Sequence, residues 1–170
     1  MDRHDPALVA DERTMLAQFL DYHRATLLWK VEGLDHEQLN TTTAASSLTL
    51  AALLKHLALN EESWFQQMLH GAEPSAPWNT VDWDADRDWD FHSAVDDQPA
   101  DLIALYQQAC ARSREAVAAV ASLDDLSVGT SKTGERFSLR WIMLHMIEET
   151  ARHNGHADLL REAIDGATGE

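Results

Sequence analysis

Apolar residues recur at spacings of three and four along four long segments of this chain, and this period constrains its fold more than any other feature. Such spacing places apolar side chains on one face of an α-helix, so each segment predicts a helix that buries this face. No segment shows the apolar–polar alternation between turn residues that predicts a β-strand. The sequence therefore predicts an all-α protein, a four-helix bundle that forms a single domain over residues 1–170.

Capping residues mark the ends of these helices. The predicted helices run approximately from Asp11 to Val31, from Thr49 to Leu69, from Pro99 to Val120 and from Ser138 to Ile164. Thr49 and Ser138 are typical N-cap residues, because their hydroxyls can accept a backbone N–H of the first turn. Gly33, Gly71 and Gly166 follow helix ends, where glycine readily adopts the left-handed conformation.

The stretch from His70 to Gln98 is long for a connection between two bundle helices. It contains Trp78, Trp83 and Trp89, which would be costly to leave in water. We expect these rings to fold back on the helices, either as simple packing, which is favoured, or as a lid over a site. The same region is rich in aspartate and predicts a solvated acidic loop, because it lacks the glycine and closing glutamate of a calcium loop. These residues are Asp82, Asp84, Asp86, Asp88, Asp90, Asp96 and Asp97.

Charge and composition exclude several classes of function. The formal net charge is −16, which repels phosphate backbones and makes nucleic acid an unlikely partner. No apolar run is long enough to predict a membrane span, and the first residues do not have the pattern of a secretory signal, so we expect a cytoplasmic protein. Cys110 is the only cysteine, which excludes an internal disulfide and predicts a reduced residue within a helix.

The fourth predicted helix has an unusual inward face. Successive steps of about 100° place its imidazole and carboxylate groups on one narrow arc with apolar residues at both ends. The arc comprises Ile142, His145, Met146, Glu149, His153, His156 and Leu160. On the second helix, His56 lies in the middle of an inward stripe that also contains Asn60 and Trp64. His56, Glu149 and His153 together make a two-histidine, one-carboxylate set for a divalent metal, with coordination positions left open.

The simpler interpretation is that these residues are structural. A single core histidine, such as His23 or His145, is more often hydrogen-bonded than metal-bound. Several inward polar groups clustered on one face favour a cation, because one ion satisfies all of them. The pattern is not one of the sharp motifs, since it contains neither an H-E-x-x-H pair nor a Glu-x-x-His pair on these helices.

The segment from His145 to Glu162, which reads HMIEETARHNGHADLLRE, resembles the DinB superfamily, specifically its DinB-like, mycothiol-dependent transferase branch. The motifs Leu54-Lys-His-Leu57 and Trp64-Phe65 add to the likeness. This resemblance implies an up-down-down-up bundle with a long connection between helices two and three. It also implies a divalent ion held by His56, Glu149 and His153. Many relatives have histidine at the position of Glu149, and His156 is the reserve ligand if Glu149 acts as a base.

Relatives with this pattern use a low-molecular-weight thiol. The resemblance therefore implies a metal-dependent, mycothiol-type thiol S-transferase that acts on small electrophiles in detoxification or stress response. Zinc is the expected metal, with nickel or iron as alternatives, and the thiol belongs to the cofactor and not to Cys110. Arg152 and Arg161 are candidates to bind a carboxylate of the thiol or substrate, although a solvated helix flank is the simpler interpretation.

Two other functions share these residues. The chain could be a non-catalytic, metal-binding stress-response module, or a metal-dependent hydrolase that uses bound water. An accessible ion with an open position favours catalysis, a sealed ion favours a structural role, and a hydrolase needs no thiol. A second apolar set on the fourth helix, Met143, Leu144 and Ile147, suggests a homodimer contact.

Overall fold

A computed structural model describes residues 3–43 and 45–168, which are mostly helical and include one small two-stranded sheet. The helices are α1 (Glu12–Val31), α2 (His36–Leu39), α3 (Leu50–Glu61), α4 (Trp89–His92), α5 (Pro99–Ala118) and α6 (Leu139–Asp165). The strands are β1 (Leu126–Thr130) and β2 (Arg136–Ser138). Short 3₁₀ turns occur at Trp78–Thr80 and Ser93–Asp96.

The two predicted N-caps, Thr49 and Ser138, are confirmed, and Asp11 caps a third long helix. The side chains of Asp11, Thr49 and Ser138 each accept a backbone N–H from the first turn of α1, α3 and α6, respectively. Gly166 ends α6 with a φ of 74°, in the left-handed region that favours glycine. These caps satisfy backbone groups that no helical partner reaches, so the sequence specifies where the long helices start.

The second predicted helix has the expected extent but not a single geometry. It is α-helical to Glu61 and then π-helical over Glu62–Leu69. The π-helical segment lies against strand β1 of the hairpin, and two glycines are found where the two approach closely. A Cβ on Gly71 would lie 2.6 Å from Cγ1 of Val128, and a Cβ on Gly129 would lie 2.6 Å from the Met68 sulfur. A side chain at either position would force its neighbours to shift, and Gly71 also has a φ of 69°, in the left-handed region that favours glycine.

The hairpin β1–β2 is a correction to the all-α prediction. β1 pairs antiparallel with β2, and the register is irregular between the two ends of β1. Strands usually alternate buried apolar and exposed polar residues, but β1 does the reverse. Leu126 and Val128 are 52% and 62% exposed, while Ser127 is buried. The Ser127 hydroxyl donates to the Gly129 carbonyl (2.7 Å) and accepts the Phe137 N–H (3.0 Å). A buried serine that satisfies backbone groups replaces the apolar residue by which a strand is normally recognised.

The long helices pack side by side, α1 against α6 and α3 against both α5 and α6. Two clusters of buried apolar side chains lie between them. One cluster surrounds Leu53, Leu54 and Tyr106, and the second, which includes Leu20, Phe65, Ile142 and Met146, lies nearer the hairpin. The seam between α3 and α6 joins the two clusters and positions the candidate site.

The long connection packs onto the helices. Trp78 is only 2% exposed, and its ring meets the Trp89 ring edge to face at 6.2 Å. Trp83 contacts Trp89 at 6.3 Å, and the Lys55 ammonium lies 4.3 Å from the centre of the Trp89 ring. Lys55 also forms an ion pair with Asp97 at 2.5 Å. The packing interpretation of Trp78 is thus confirmed.

Cys110 is buried in α5, and burial raises the pKa of its thiol to about 12. This thiol is protonated at neutral pH, which agrees with its predicted structural role. Within the described residues, no helix combines the length and apolar character that crossing a membrane would require.

Candidate metal centre

Helices α3 and α6 bring together His56, Glu149 and His153. One ligand atom from each lies within 4.8 Å of the other two. Nε2 of His56 is 3.4 Å from Oε1 of Glu149, and Nε2 of His153 is 3.2 Å from the same oxygen. Ligand atoms about 2.1 Å from a tetrahedral zinc ion lie about 3.4 Å apart. The two distances to Glu149 therefore suit a small divalent cation, and all three ligand atoms lie within 4.8 Å of one another.

Asn60 completes the inner face of α3. It lies one turn after His56, and its Nδ2 is 3.0 Å from Nε2 of His56 and 3.3 Å from Oε1 of Glu149. The amide N–H groups of Asn60 can donate to both acceptors. This contact holds Glu149 toward α3 and keeps Nε2 of His56 facing the cluster.

The charges at the cluster suit a metal ligand set. Burial alone would raise the pKa of the Glu149 carboxyl, but His153 and His56 together lower it below its ordinary value. Burial, and then the nearby His56, lower the pKa of His153, while Glu149 opposes this shift. At neutral pH Glu149 is therefore ionised and His153 neutral, the forms in which both bind a metal.

Asp90 orients His56 from the long connection. Its Oδ2 lies 2.7 Å from Nδ1 of His56, and its side chain is almost fully buried. Nδ1–H then donates to the carboxylate, and Nε2 stays unprotonated at the cluster, where it accepts from Asn60. Carboxylates orient metal-binding histidines in this way. The neighbouring Phe91 ring lies 4.4 Å from the His56 ring.

The sequence-based assignment of Asp90 to a solvated acidic loop is wrong. The short helix α4 turns this residue into the protein, while its acidic neighbours Asp86 and Asp88 stay near the surface. No spacing in the sequence distinguishes Asp90 from the other aspartates, and Asn60 was visible only as one member of the inward stripe of α3.

His156 lies on the other side of His153. Its Nδ1 is 3.3 Å from Nδ1 of His153, whereas Nε2 of His153 faces Glu149. His156 is thus outside the group of three converging side chains and is placed to orient His153. Its predicted use as a reserve ligand stays a prediction.

The two candidate arginines have other partners. Arg152 is exposed and forms an ion pair with Glu148 at 2.7 Å. The Arg161 guanidinium donates to the backbone carbonyls of Lys30 (3.1 Å) and Glu32 (2.9 Å) at the end of α1. Arg161 therefore caps α1, and the use of either arginine for cofactor binding stays a prediction.

Solvent reaches the cluster from one side. The side chains of His56 and Glu149 are each 19% exposed, and His153 is more deeply placed. An ion held by these three side chains would not be sealed inside protein.

Comparison with known proteins gives a family match. The family model described as mycothiol-S-transferase matches residues 15–166. No curated protein matches the sequence.

Proposed function

The chain belongs to the mycothiol-S-transferase family, and we propose that it transfers a mycothiol-type thiol to small electrophilic substrates with the help of a divalent metal. The observation that supports this most is the convergence of His56, Glu149 and His153 beside solvent. A purely structural site would have four protein ligands and no access, whereas three ligands with an open side suit catalysis.

We propose that His56 and His153 bind the metal through Nε2 and that Glu149 binds it through a carboxylate oxygen. Zinc is the expected ion, and nickel or iron would accept the same ligands. When bound, the metal supplies a positive charge that favours the thiolate over the thiol near neutral pH. Asp90 holds the His56 ring in the required tautomer, Asn60 holds the Glu149 carboxylate, and His156 steadies His153.

The proposed reaction balances simply for a haloarene. A carbon–sulfur bond forms, the carbon–halogen bond breaks, the halide leaves with the bonding electron pair, and the thiol proton passes to solvent. Cys110 takes no part, because it is buried and protonated.

The family resemblance also supports proposals about helix arrangement, cellular role and oligomeric state. We propose an up-down-down-up arrangement of α1, α3, α5 and α6, a role in detoxification or stress response, and a cytoplasmic homodimer. A non-catalytic metal-binding module and a hydrolase are the competing functions, and both are outcomes of the following experiment.

The experiment begins with elemental analysis of the full chain purified without added metal. The zinc-loaded protein is then incubated with mycothiol and 1-chloro-2,4-dinitrobenzene, and conjugate formation is measured. We expect conjugation that requires both thiol and metal and that is lost in His56→Ala, but retained in Leu159→Ala, whose side chain is exposed on α6.

Other outcomes would point elsewhere. No acceleration with any of several thiol–electrophile pairs, while zinc stays bound, would contradict the transferase and favour the binding module. Metal-dependent turnover that is unaffected by thiol would favour the hydrolase.

A further inference from the structure

Four aromatic side chains lie together along the α3–α6 seam, beyond the metal cluster. We call Trp64, Phe137, Trp141 and His145 the aromatic platform. Ring centres are 4.6 Å apart for Trp64 and His145 and 4.6 Å apart for Phe137 and Trp141. Trp141 and His145 are stacked at 5.1 Å with an interplanar angle of 17°. The platform is thus a set of mutually packed rings and not a single exposed residue.

The platform continues the faces that hold the metal cluster. On α6, Trp141 and His145 precede Glu149 at spacings of four, while Trp64 lies in the π-helical segment that continues α3, four residues after Asn60. Residues at this spacing lie on one face of a helix. His145 is therefore one turn from Glu149, and Trp141 is two turns away, about 12 Å along the helix axis.

The inner rings of the platform pack against the core, whereas its outer ring is partly exposed to solvent. Trp64 and Phe137 pack against the second apolar cluster. Phe137 belongs to β2, and its backbone N–H donates to the buried Ser127 hydroxyl of β1. Trp141 remains 44% exposed. Core packing explains Trp64 and Phe137, but it leaves Trp141 partly exposed to solvent two helical turns from Glu149.

We infer that the aromatic platform binds the electrophilic substrate, and that this substrate is a planar aromatic molecule. The inference rests on the proposed function and specifies its substrate class. A flat ring that stacks on Trp141 and His145 places a reactive substituent within one helical turn of Glu149. Stacking favours flat, electron-poor rings, because such rings can adopt an offset stacked arrangement on Trp141 and His145. An aliphatic electrophile of equal size cannot adopt this arrangement. A neutral arene also suits a surface whose net charge of −16 repels anions.

The first test measures binding without chemistry. Equilibrium dialysis of the full chain with unreactive 2-naphthamide is compared with dialysis against its saturated decahydro analogue. We expect 2-naphthamide to bind at least fivefold more tightly than the analogue. Trp141→Ala should abolish this preference, Trp141→Phe should retain most of it, and Leu159→Ala, an exposed apolar residue far along α6, should not change it.

The second test measures conjugation. Trp141→Ala should raise KM for 1-chloro-2,4-dinitrobenzene about tenfold with little change in kcat, because a stacking contact contributes mainly to substrate binding. KM for iodoacetamide, a small aliphatic electrophile, should stay the same. Equal changes in KM for both electrophiles, or no change for either, would overturn the inference.

The two tests separate this inference from the proposed function. Selective naphthamide binding without conjugation of any electrophile would retain the platform and reject the transferase. Conjugation with no preference for planar rings would retain the transferase and reject the platform. A dimer that Trp141→Ala converts to a monomer, detected by light scattering, would show that a second copy covers this face and would also reject the inference.

Discussion

Two glutamates in this chain, the buried Glu61 and the partly exposed Glu149, lie in different electrostatic surroundings. Glu61, at the end of α3, forms a double hydrogen bond with Arg24 of α1, at 2.7 Å to Nε and 2.6 Å to Nη2. Burial alone would lower the pKa of the Arg24 guanidinium, but Glu61 raises it above its ordinary value. Glu149, in α6, instead faces His56, His153 and Asn60.

The comparison separates a carboxylate that is paired within the chain from one that our proposal assigns to a metal. The Arg24–Glu61 pair is neutral as a whole and has its hydrogen bonds in place. Glu149 has no arginine or lysine partner among its hydrogen bonds at the cluster, and the divalent cation that we propose would balance its negative charge. A buried ion pair of the first kind supports the fold, whereas the second arrangement is suited to binding.

The largest effect is expected from breaking the ion pair. Arg24→Met leaves Glu61 charged and buried, and should lower the free energy of unfolding by about 3–5 kcal/mol. Urea denaturation followed by circular dichroism measures this change. Arg152→Met removes an exposed pair with Glu148 and should change stability by less than about 0.5 kcal/mol. Equal effects of the two variants would contradict the assignment of Arg24–Glu61 as structural.

Removing a metal ligand should weaken metal binding strongly but change the fold little. His56→Ala should weaken zinc binding by about 100-fold or more, since it deletes one of three ligands. The helical circular dichroism of the metal-free protein should change little, because the apolar clusters remain. Competition with a chelating dye measures the affinity. Global unfolding of the variant would show that the ion is needed for the fold.

A smaller effect is expected at the residue that orients His56. Asp90→Asn retains the shape but not the charge, and should weaken zinc binding by about 10- to 100-fold. Asp97→Asn is the matched control, because Asp97 belongs to the same connection but pairs with Lys55. If both substitutions weaken zinc binding equally, Asp90 acts through the folding of the connection and not through His56.

Much of the helical structure was predictable because local signals determine it. Asp11, Thr49 and Ser138 cap helices whose apolar faces recur at regular spacing, and Glu149 and His153 share a face because they are four residues apart. His56 was predicted from its place in the inward stripe of the second helix. The family that the last helix resembles is confirmed.

The remaining features depend on contacts between distant segments. Asp90 reaches His56 only because the tryptophans of the connection pack onto the helices, and nothing in its own neighbourhood marks it. The hairpin was missed because Ser127 replaces an apolar residue on its buried side. The π-helix after Glu61 has no local signal that we recognise.

The smallest effect concerns the pH dependence of stability. Burial lowers the pKa of His23 in α1 below its ordinary value of 6.5. The folded state therefore favours the neutral imidazole, and this contribution is present above pH 6.5 and lost as pH falls from 6.5 toward the lowered pKa. His23→Gln should flatten the fall in unfolding free energy as pH decreases below 6.5.

His92 provides a control of opposite sign. The hydrogen bond that His92 donates to the Asp86 carboxylate raises the pKa of this exposed histidine above its ordinary value. Its contribution is present below the ordinary value and is lost as pH rises through the raised pKa, so His92→Gln should shift the pH profile in the other direction. Urea titrations of both variants at a series of pH values measure the two slopes. The Asn154 amide of α6 donates to the His23 carbonyl at 3.0 Å, where α1 packs against α6. If His23→Gln and His92→Gln shift the profile in the same direction, the burial of His23 does not control its protonation. The packing of α1 against α6 must then be looser than this contact indicates.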